Sequence, residues 1–323
     1  MVLGYERLSR SPKAFHHFSG VSLTEFAELY RKLEPLHQAR ERQRLSQHPR
    51  LRAIGGGRKY ELSLEDRLLM TLMWLRLYLE TEALAFLFGV HKSTVSRNTR
   101  DILACLRELG EATLGWPEPP PKGRPLEEAL AEYPELLALV DATEQRVQRP
   151  KDCTTQKAHY SGKKKSHTRK TQVIVNEHGV IREVSPSVPG AMQDLELFRQ
   201  SGAKGRIPKA VTVGGDKGYQ GLHKELPEHS VVTPHKATRG HPLDEEHKRM
   251  NGEYARIRIV VEHTLGALKQ FHALADVFRH SVSLYDTVFR GVVAIVNPRI
   301  VQQVAAALTA CQEAQVMHHE LAA

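Results

Sequence analysis

Residues Ala210 to Gly221 read AVTVGGDKGYQG, and the fold class is decided there. Ala210-Val211-Thr212-Val213 is a short apolar run with β-branched residues, which predicts a buried strand. It runs into Gly214 and Gly215 and delivers an acid, Asp216, at its carboxyl end. A glycine pair permits a sharp turn and the close approach of a bulky ligand, while Lys217 and Tyr219 beside the acid suit an anionic substrate. By itself the stretch is equally an ordinary strand with an Asp-capped turn. The choice falls to the rest of the chain.

Upstream, Leu136 to Val140 is a second apolar run ending in an acid, Asp141. Thr171 to Asn176 and Val180 to Val184 predict a hairpin across Glu177-His178-Gly179. Asp194 stands where it caps a short helix, Leu195 to Gln200, with second-sphere support of the site as the other reading. A short strand at Ser230 to Thr233 and a long helix from Glu245 to Phe271 complete an α/β sheet of mixed direction. On that helix, with Arg258 at zero, Glu262 falls near 40° and Lys269 near 20° at about 100° per residue. Ile257, Val261, Leu265 and Leu268 fall between roughly 260° and 340°, so the charged stripe borders the predicted buried face. The plain alternative is an i,i+4 pair between Arg258 and Glu262.

The chain has 323 residues, enough for two modest domains, and 41% of them are apolar. Forty-six Lys and Arg against 37 Asp and Glu give +9, which favours a polyanionic partner. Nine basic residues against three acids lie between Asp141 and Val175, among them Lys163, Lys164, Lys165, Arg169 and Lys170. Three widely spaced cysteines give neither a disulfide framework nor a zinc site, which implies a reducing, cytoplasmic compartment. No apolar run has signal-peptide or membrane-span length.

The amino-terminal half reads as helical. Ser22 to about Arg50 predicts one charged helix, Gly55 to Lys59 a basic turn, and Ser63 the cap of a helix buried on several sides through Leu79. Thr81 to Arg100, TEALAFLFGVHKSTVSRNTR, resembles a helix-turn-helix, in which a second helix capped by Ser93 offers Ser93, Thr94, Ser96, Arg97 and Arg100 to DNA. Any pair of bundled helices is the plainer reading. Five prolines between Trp116 and Pro125 mark a boundary, followed by a helical piece at Leu126 to Glu132. The expected segments are 1–60 (helix and basic turn), 61–114 (helix-turn-helix domain), 115–135 (linker), 136–300 (catalytic domain) and 301–323 (helical tail).

Two strand-end acids, Asp141 and Asp216, and a helix-edge acid, Glu262, in a basic domain form a set suited to divalent metal chemistry on phosphodiesters. Three crowded carboxylates are stable only when protonated or bridged by cations, and oxygen ligands suit Mg²⁺ or Mn²⁺. The motifs VDATE, YSGKKKSHTRKTQVIV, PGAMQD, GGDKGYQG and RIVVEHTLGALKQF, with FGVHKSTVSR upstream, resemble those of DDE transposases of bacterial insertion sequences, in the group related to Harbinger elements. The resemblance covers about Arg52 to Pro298. It implies a ribonuclease H-like catalytic domain behind a helix-turn-helix, with Asp141, Asp216 and Glu262 as catalytic residues and ligands of two Mg²⁺ or Mn²⁺ ions.

It also implies R-x3-E-x6-K spacing at Arg258, Glu262 and Lys269, with Tyr254 one residue off the position of a tyrosine found in related signatures. The expected activity is cleavage at the element ends and joining of the 3′ hydroxyls to target DNA. A homodimer or higher oligomer on DNA is expected, and the Lys163–Lys165 cluster, Arg169, Lys170, Lys217, Arg258 and Lys269 are expected at the DNA. A domesticated DNA-binding regulator and a nuclease that does not join remain as alternatives.

Overall fold

The computed structural model describes residues 2–47, 60–117, 137–237 and 242–321. The basic turn at Gly55 to Lys59, most of the proline-rich linker and the helix expected at Leu126 to Glu132 lie outside the described residues. The chain divides into two compact units, Met1–Ala112 with Leu268–Val296, and Thr113–Ala267 with Asn297–Ala323. Packing thus groups Leu268–Val296 with the amino-terminal helices and not with the rest of segment 136–300.

The first unit holds helices α1 (Tyr5–Leu8), α2 (Pro12–Ser19), α3 (Leu23–Ser46), α4 (Leu64–Leu77), α5 (Thr81–Phe88) and α6 (Lys92–Ala112). Ser22 and Glu25 form a capping box on α3, reciprocally satisfying two end donors. Ser63 caps α4 by accepting from the Asp66 N–H. Arg67 to Leu75 are all buried, so α4 is the core helix of this unit. Arg67 is tolerated there because its Nε donates to Asn98 Oδ1 (2.5 Å) and Asn98 Nδ2 donates to the Arg67 carbonyl (3.0 Å). Between α5 and α6, Gly89 adopts the left-handed conformation (φ 65°) that ends α5 and forms the helix-turn-helix corner. The second helix starts at Lys92, one residue before the expected Ser93 cap. The ring of His91 accounts for this, its Nδ1 lying 3.3 Å from the Ser93 N–H.

The second unit is built on a seven-stranded sheet: β1 (Leu137–Arg146), β2 (Tyr160–Ser161), β3 (Ser166–Asn176), β4 (Ile181–Val184), β5 (Val188–Pro189), β6 (Thr212–Gly215) and β7 (Val231–Val232). The order is β2-β3-β1-β6-β7, with β4 and β5 also on β3. β3 is antiparallel to β1, whereas β6 is parallel to β1 and β7 to β6. A mixed sheet behind a helical amino-terminal region is the ribonuclease H-like arrangement that the resemblance implies. One face carries the core of Val140, Ile174, Phe198, Val213 and Tyr219. On the long helix Glu245–Lys269, Tyr254, Val261, Thr264 and Leu265 are buried.

Three strands differ from expectation. β3 begins at Ser166, five residues before the expected Thr171. β1 does not end at Asp141 but continues to Arg146, because β3 keeps pairing with it through Arg146↔Thr168. β6 is shifted two residues, so the glycine pair lies inside it and not in a turn after it. A Cβ on Gly214 would stand 2.5 Å from the Tyr254 hydroxyl, and one on Gly215 2.7 Å from Tyr219 Cβ, so close packing is what requires glycine. Ile257, expected on the buried face, is 47% exposed. No helix among the described residues is long and apolar enough to cross a membrane.

Candidate active site

The site stands where the parallel pairing of β1 and β6 stops. Val140 pairs with Gly215, the last residue of β6, so the next residue on each strand is an acid, Asp141 and Asp216. Parallel register brings together two carboxylates 75 positions apart in sequence. Asp141 Oδ1 accepts from the Ala142 N–H (2.8 Å), and Asp216 caps a 3-10 turn, Lys217–Tyr219, by accepting from the Gly218 N–H (2.8 Å).

A third acid belongs to the same group. Asp194 is the first residue of helix Asp194–Ser201, with Gln193 at the cap position, so the expected capping role is not what its side chain does. Its Oδ1 instead accepts from Lys170 Nζ at 2.8 Å. A Cβ built on Gly218 would meet Asp194 Oδ2 at 2.5 Å and Asp216 Oδ1 at 3.0 Å, so the two carboxylates flank that glycine. Burial, first of all, pushes the Asp141 carboxyl up to about 6, and the charges of Asp216 and Asp194 add to it, against the Ala142 N–H and Arg258. Tyr219 is fully buried under the same charges; burial and then Asp194, Asp141 and Asp216 raise its hydroxyl well above the ordinary range.

Basic groups answer these acids unequally. Arg258 Nη2 lies 3.4 Å from Asp141 Oδ2, with both side chains largely buried. The buried Lys170 pairs with Asp194, approaches Glu144 Oε1 at 3.6 Å and donates to the Met192 carbonyl (2.6 Å). This corrects its expected role, since an ammonium so enclosed is not presented to DNA. Arg169 is half-buried and donates to the Ser187 carbonyl (2.6 Å) and hydroxyl (2.8 Å). Lys163, Lys164 and Lys165 are exposed in the turn between β2 and β3, and Lys217 is exposed beside Asp216. On α6, Ser93, Arg97 and Arg100 are exposed and Thr94 and Ser96 half-buried. Lys269 is exposed at the last position of the same helix.

Glu262 has no hydrogen bond or ion pair to the acid group among the described residues. Its side chain is exposed, one turn beyond Arg258, and Arg258 is the helix residue that faces Asp141. The buried face centres on Tyr254, Val261 and Leu265, so a residue about 40° beyond Arg258 is carried off it. The Tyr254 hydroxyl donates to the Gly215 carbonyl (3.0 Å), a packing role on β6.

The donor chemistry of Asp141 and Asp216 fits a hard divalent cation. Both offer only oxygen, and the crowding that raises Asp141 is what a cation relieves. Among the described residues no group of three His, Cys, Asp or Glu stands at metal-holding spacing. Sequence reading missed Glu144 and the inward role of Lys170. The only signal was opposite charges, and their pairing register across β1 and β3 was not legible before the strands were placed.

Residues 140–297 match the family described as DDE superfamily endonuclease, and residues 60–112 match the helix-turn-helix of DDE superfamily endonuclease. A protein of Microchaete diplosiphon described as a probable transposase for insertion sequence element IS702 is 33% identical, over 69% of this chain and 76% of its own length. One from Streptomyces albus G, described as a putative transposase for insertion sequence element IS112, is 27% identical over the same shares. No solved structure matches.

Proposed function

This chain belongs to the DDE superfamily endonucleases and is a transposase of an insertion sequence, and we propose that it hydrolyses a phosphodiester at each end of its element and joins the freed 3′ hydroxyls to target DNA. The observation that carries this reading is the pairing of Asp141 and Asp216 at the end of the parallel β1–β6 ladder. Those two carboxylates are the proposed ligands of Mg²⁺ or Mn²⁺. A divalent cation held there supplies Lewis-acid activation of the attacking oxygen and charge stabilisation at the leaving oxygen.

The protein's own groups do the rest. The Ala142 and Gly218 N–H groups each fix one oxygen of Asp141 and of Asp216; the second oxygen of Asp141 faces Arg258 Nη2 at 3.4 Å, a contact that a bound cation would compete with. Lys170 anchors Asp194, which holds a third negative charge next to Asp216. Arg258 supplies a guanidinium beside the acids, and its buried Nε has no hydrogen-bond partner among the described residues, a donor suited to a phosphate oxygen. Glu262 is proposed as a third ligand on the resemblance alone, and Asp194 supports the site on geometry.

We further propose that α6 reads the terminal inverted repeats in the major groove, that Lys163, Lys164 and Lys165 hold the backbone, and that two copies join to pair the ends. The test is incubation with a supercoiled plasmid carrying the element ends, with Mg²⁺ or with a chelator. Joined products that need Mg²⁺ and vanish in Asp141→Asn and Asp216→Asn, each with a loss of about a hundredfold or more, are expected. Cutting without joining would leave a nuclease, and binding without cutting a regulator. Glu262→Gln and Asp194→Asn in the same assay separate the two candidate third acids.

A further inference from the structure

Beside α6, within the helical unit, lies a cleft of about 440 Å³. Ser96, Thr99 and Arg100 of α6 form one wall, and His280, Ser281 and Ser283 form another. None of its described lining residues is acidic. Thr99 is 6% exposed, and its buried hydroxyl has no hydrogen-bond partner among the described residues. A buried hydroxyl without a partner costs stability unless a ligand satisfies it.

The second wall is held firmly. The Arg279 N–H donates to the Tyr78 hydroxyl (2.8 Å), and the Arg279 guanidinium stacks 4.4 Å from the Tyr78 ring centroid. The His280 ring packs edge-on against buried Trp74, 5.0 Å between centroids, and Phe278 beside it is buried. The hydroxyl side chains Ser96, Thr99, Ser281 and Ser283 therefore line one space with the Arg100 guanidinium and the His280 imidazole and without a carboxylate among the described lining residues, and the Ser281 and Ser283 hydroxyls lie 2.8 Å apart. That donor set suits an anion with several acceptor oxygens.

Position narrows the anion. On α6, taking Ser93 as zero, the helical repeat puts Arg97 at roughly 40°, Arg100 at roughly 340° and Ser96 at roughly 300°. The cleft therefore opens along one flank of the exposed crest of the helix. A helix seated in a major groove has the phosphate backbones running along its flanks. We infer that this cleft binds a backbone phosphate of the DNA that α6 reads, with His280 to Ser283 as a clamp far downstream in sequence. The inference rests on the proposed reading of the element ends by α6.

The test titrates full-length protein with a duplex carrying the terminal repeat and with a scrambled duplex, by fluorescence anisotropy across a salt series. The double change Ser281→Ala with Ser283→Ala is expected to weaken both duplexes alike by about tenfold at an unchanged melting temperature. Ser283→Thr, which keeps the hydroxyl, is expected to bind as wild type. Arg100→Gln is expected to lower the salt slope by about 1. Methylphosphonates placed singly along the repeat are expected to mark one phosphate whose neutralisation weakens wild type but not the double variant.

If the double variant binds as wild type while Arg97→Gln loses the preference for the repeat, the cleft assignment fails and repeat reading stands. Absence of any preference for the repeat in wild type sinks both. Inorganic phosphate raising the melting temperature of wild type but not of the double variant, with DNA binding equal in the two, would assign the cleft to a free anion and overturn the DNA proposal.

Discussion

A methyl group on Gly218 would stand 2.5 Å from Asp194 Oδ2 and 3.0 Å from Asp216 Oδ1, inside ordinary contact distance. Gly218→Ala is therefore expected to push the two carboxylates apart and lower end cleavage by about tenfold or more, with binding of the repeat unchanged. An undiminished cleavage rate would show that this spacing does not matter. Lys170 is the other residue that decides the local electrostatics, lying 2.8 Å from Asp194 and 3.6 Å from Glu144 with nearly all of its side chain buried. Lys170→Met leaves two acids without their cation and is expected to cost about 3–5 kcal/mol in urea unfolding. A loss under about 1 kcal/mol would mean that water already compensates those carboxylates.

Among the elements, β1 matters most. Because it runs ten residues and is paired on both sides, Asp141 sits mid-strand, where its backbone is fixed by β3. The turn between β2 and β3 works oppositely, exposing three consecutive lysines. Replacing Lys163, Lys164 and Lys165 together by alanine is expected to weaken repeat and scrambled duplexes equally and to reduce the salt slope by about 3. A loss confined to the repeat would assign these lysines to base reading. How much of each element was legible follows its physics. The helix start at Ser22 and the cap at Ser63 rest on local hydrogen bonds, and both stand where the sequence reading puts them. The ends of β1 and β6 depend on the neighbouring strand, and both ran past expectation.

For the whole molecule, Leu268–Val296 belongs by packing to the helical unit, while the family match runs unbroken from 140 to 297. The reaction proposed here needs two ends in one complex, so a dimer or larger assembly is expected in light scattering with repeat DNA, with α3 as a candidate contact. Stability of the helical unit carries its own pH dependence. Burial, then Arg67, lowers the proton affinity of His37; burial, then Arg279 and Arg100, lowers that of His280. Both rings hold a proton less tightly folded than unfolded, so the unfolded chain takes up the extra protons, and stability falls as pH drops from the unfolded value of about 6.5 through the lowered folded values. The melting temperature is expected to fall between about pH 7 and pH 5, and less so in a variant carrying His37→Gln and His280→Gln. An equal fall in that variant would place the effect on other groups.

The sequence alone determined the class of protein: apolar runs that end in acids, a basic excess, and a glycine-cornered helix pair are local patterns that need no partner to be read. It pointed too to Asp141 and Asp216, since each follows an apolar run; that parallel pairing sets the two side by side came from the structure. Only the tertiary structure decided that Asp194 and Lys170 join them, that Arg258 pairs with Asp141, and that His280 to Ser283 lie along α6. Those placements depend on strand register, helix rotation and long-range packing, and a small rotation about one helix axis is enough to exchange a buried charge for an exposed one.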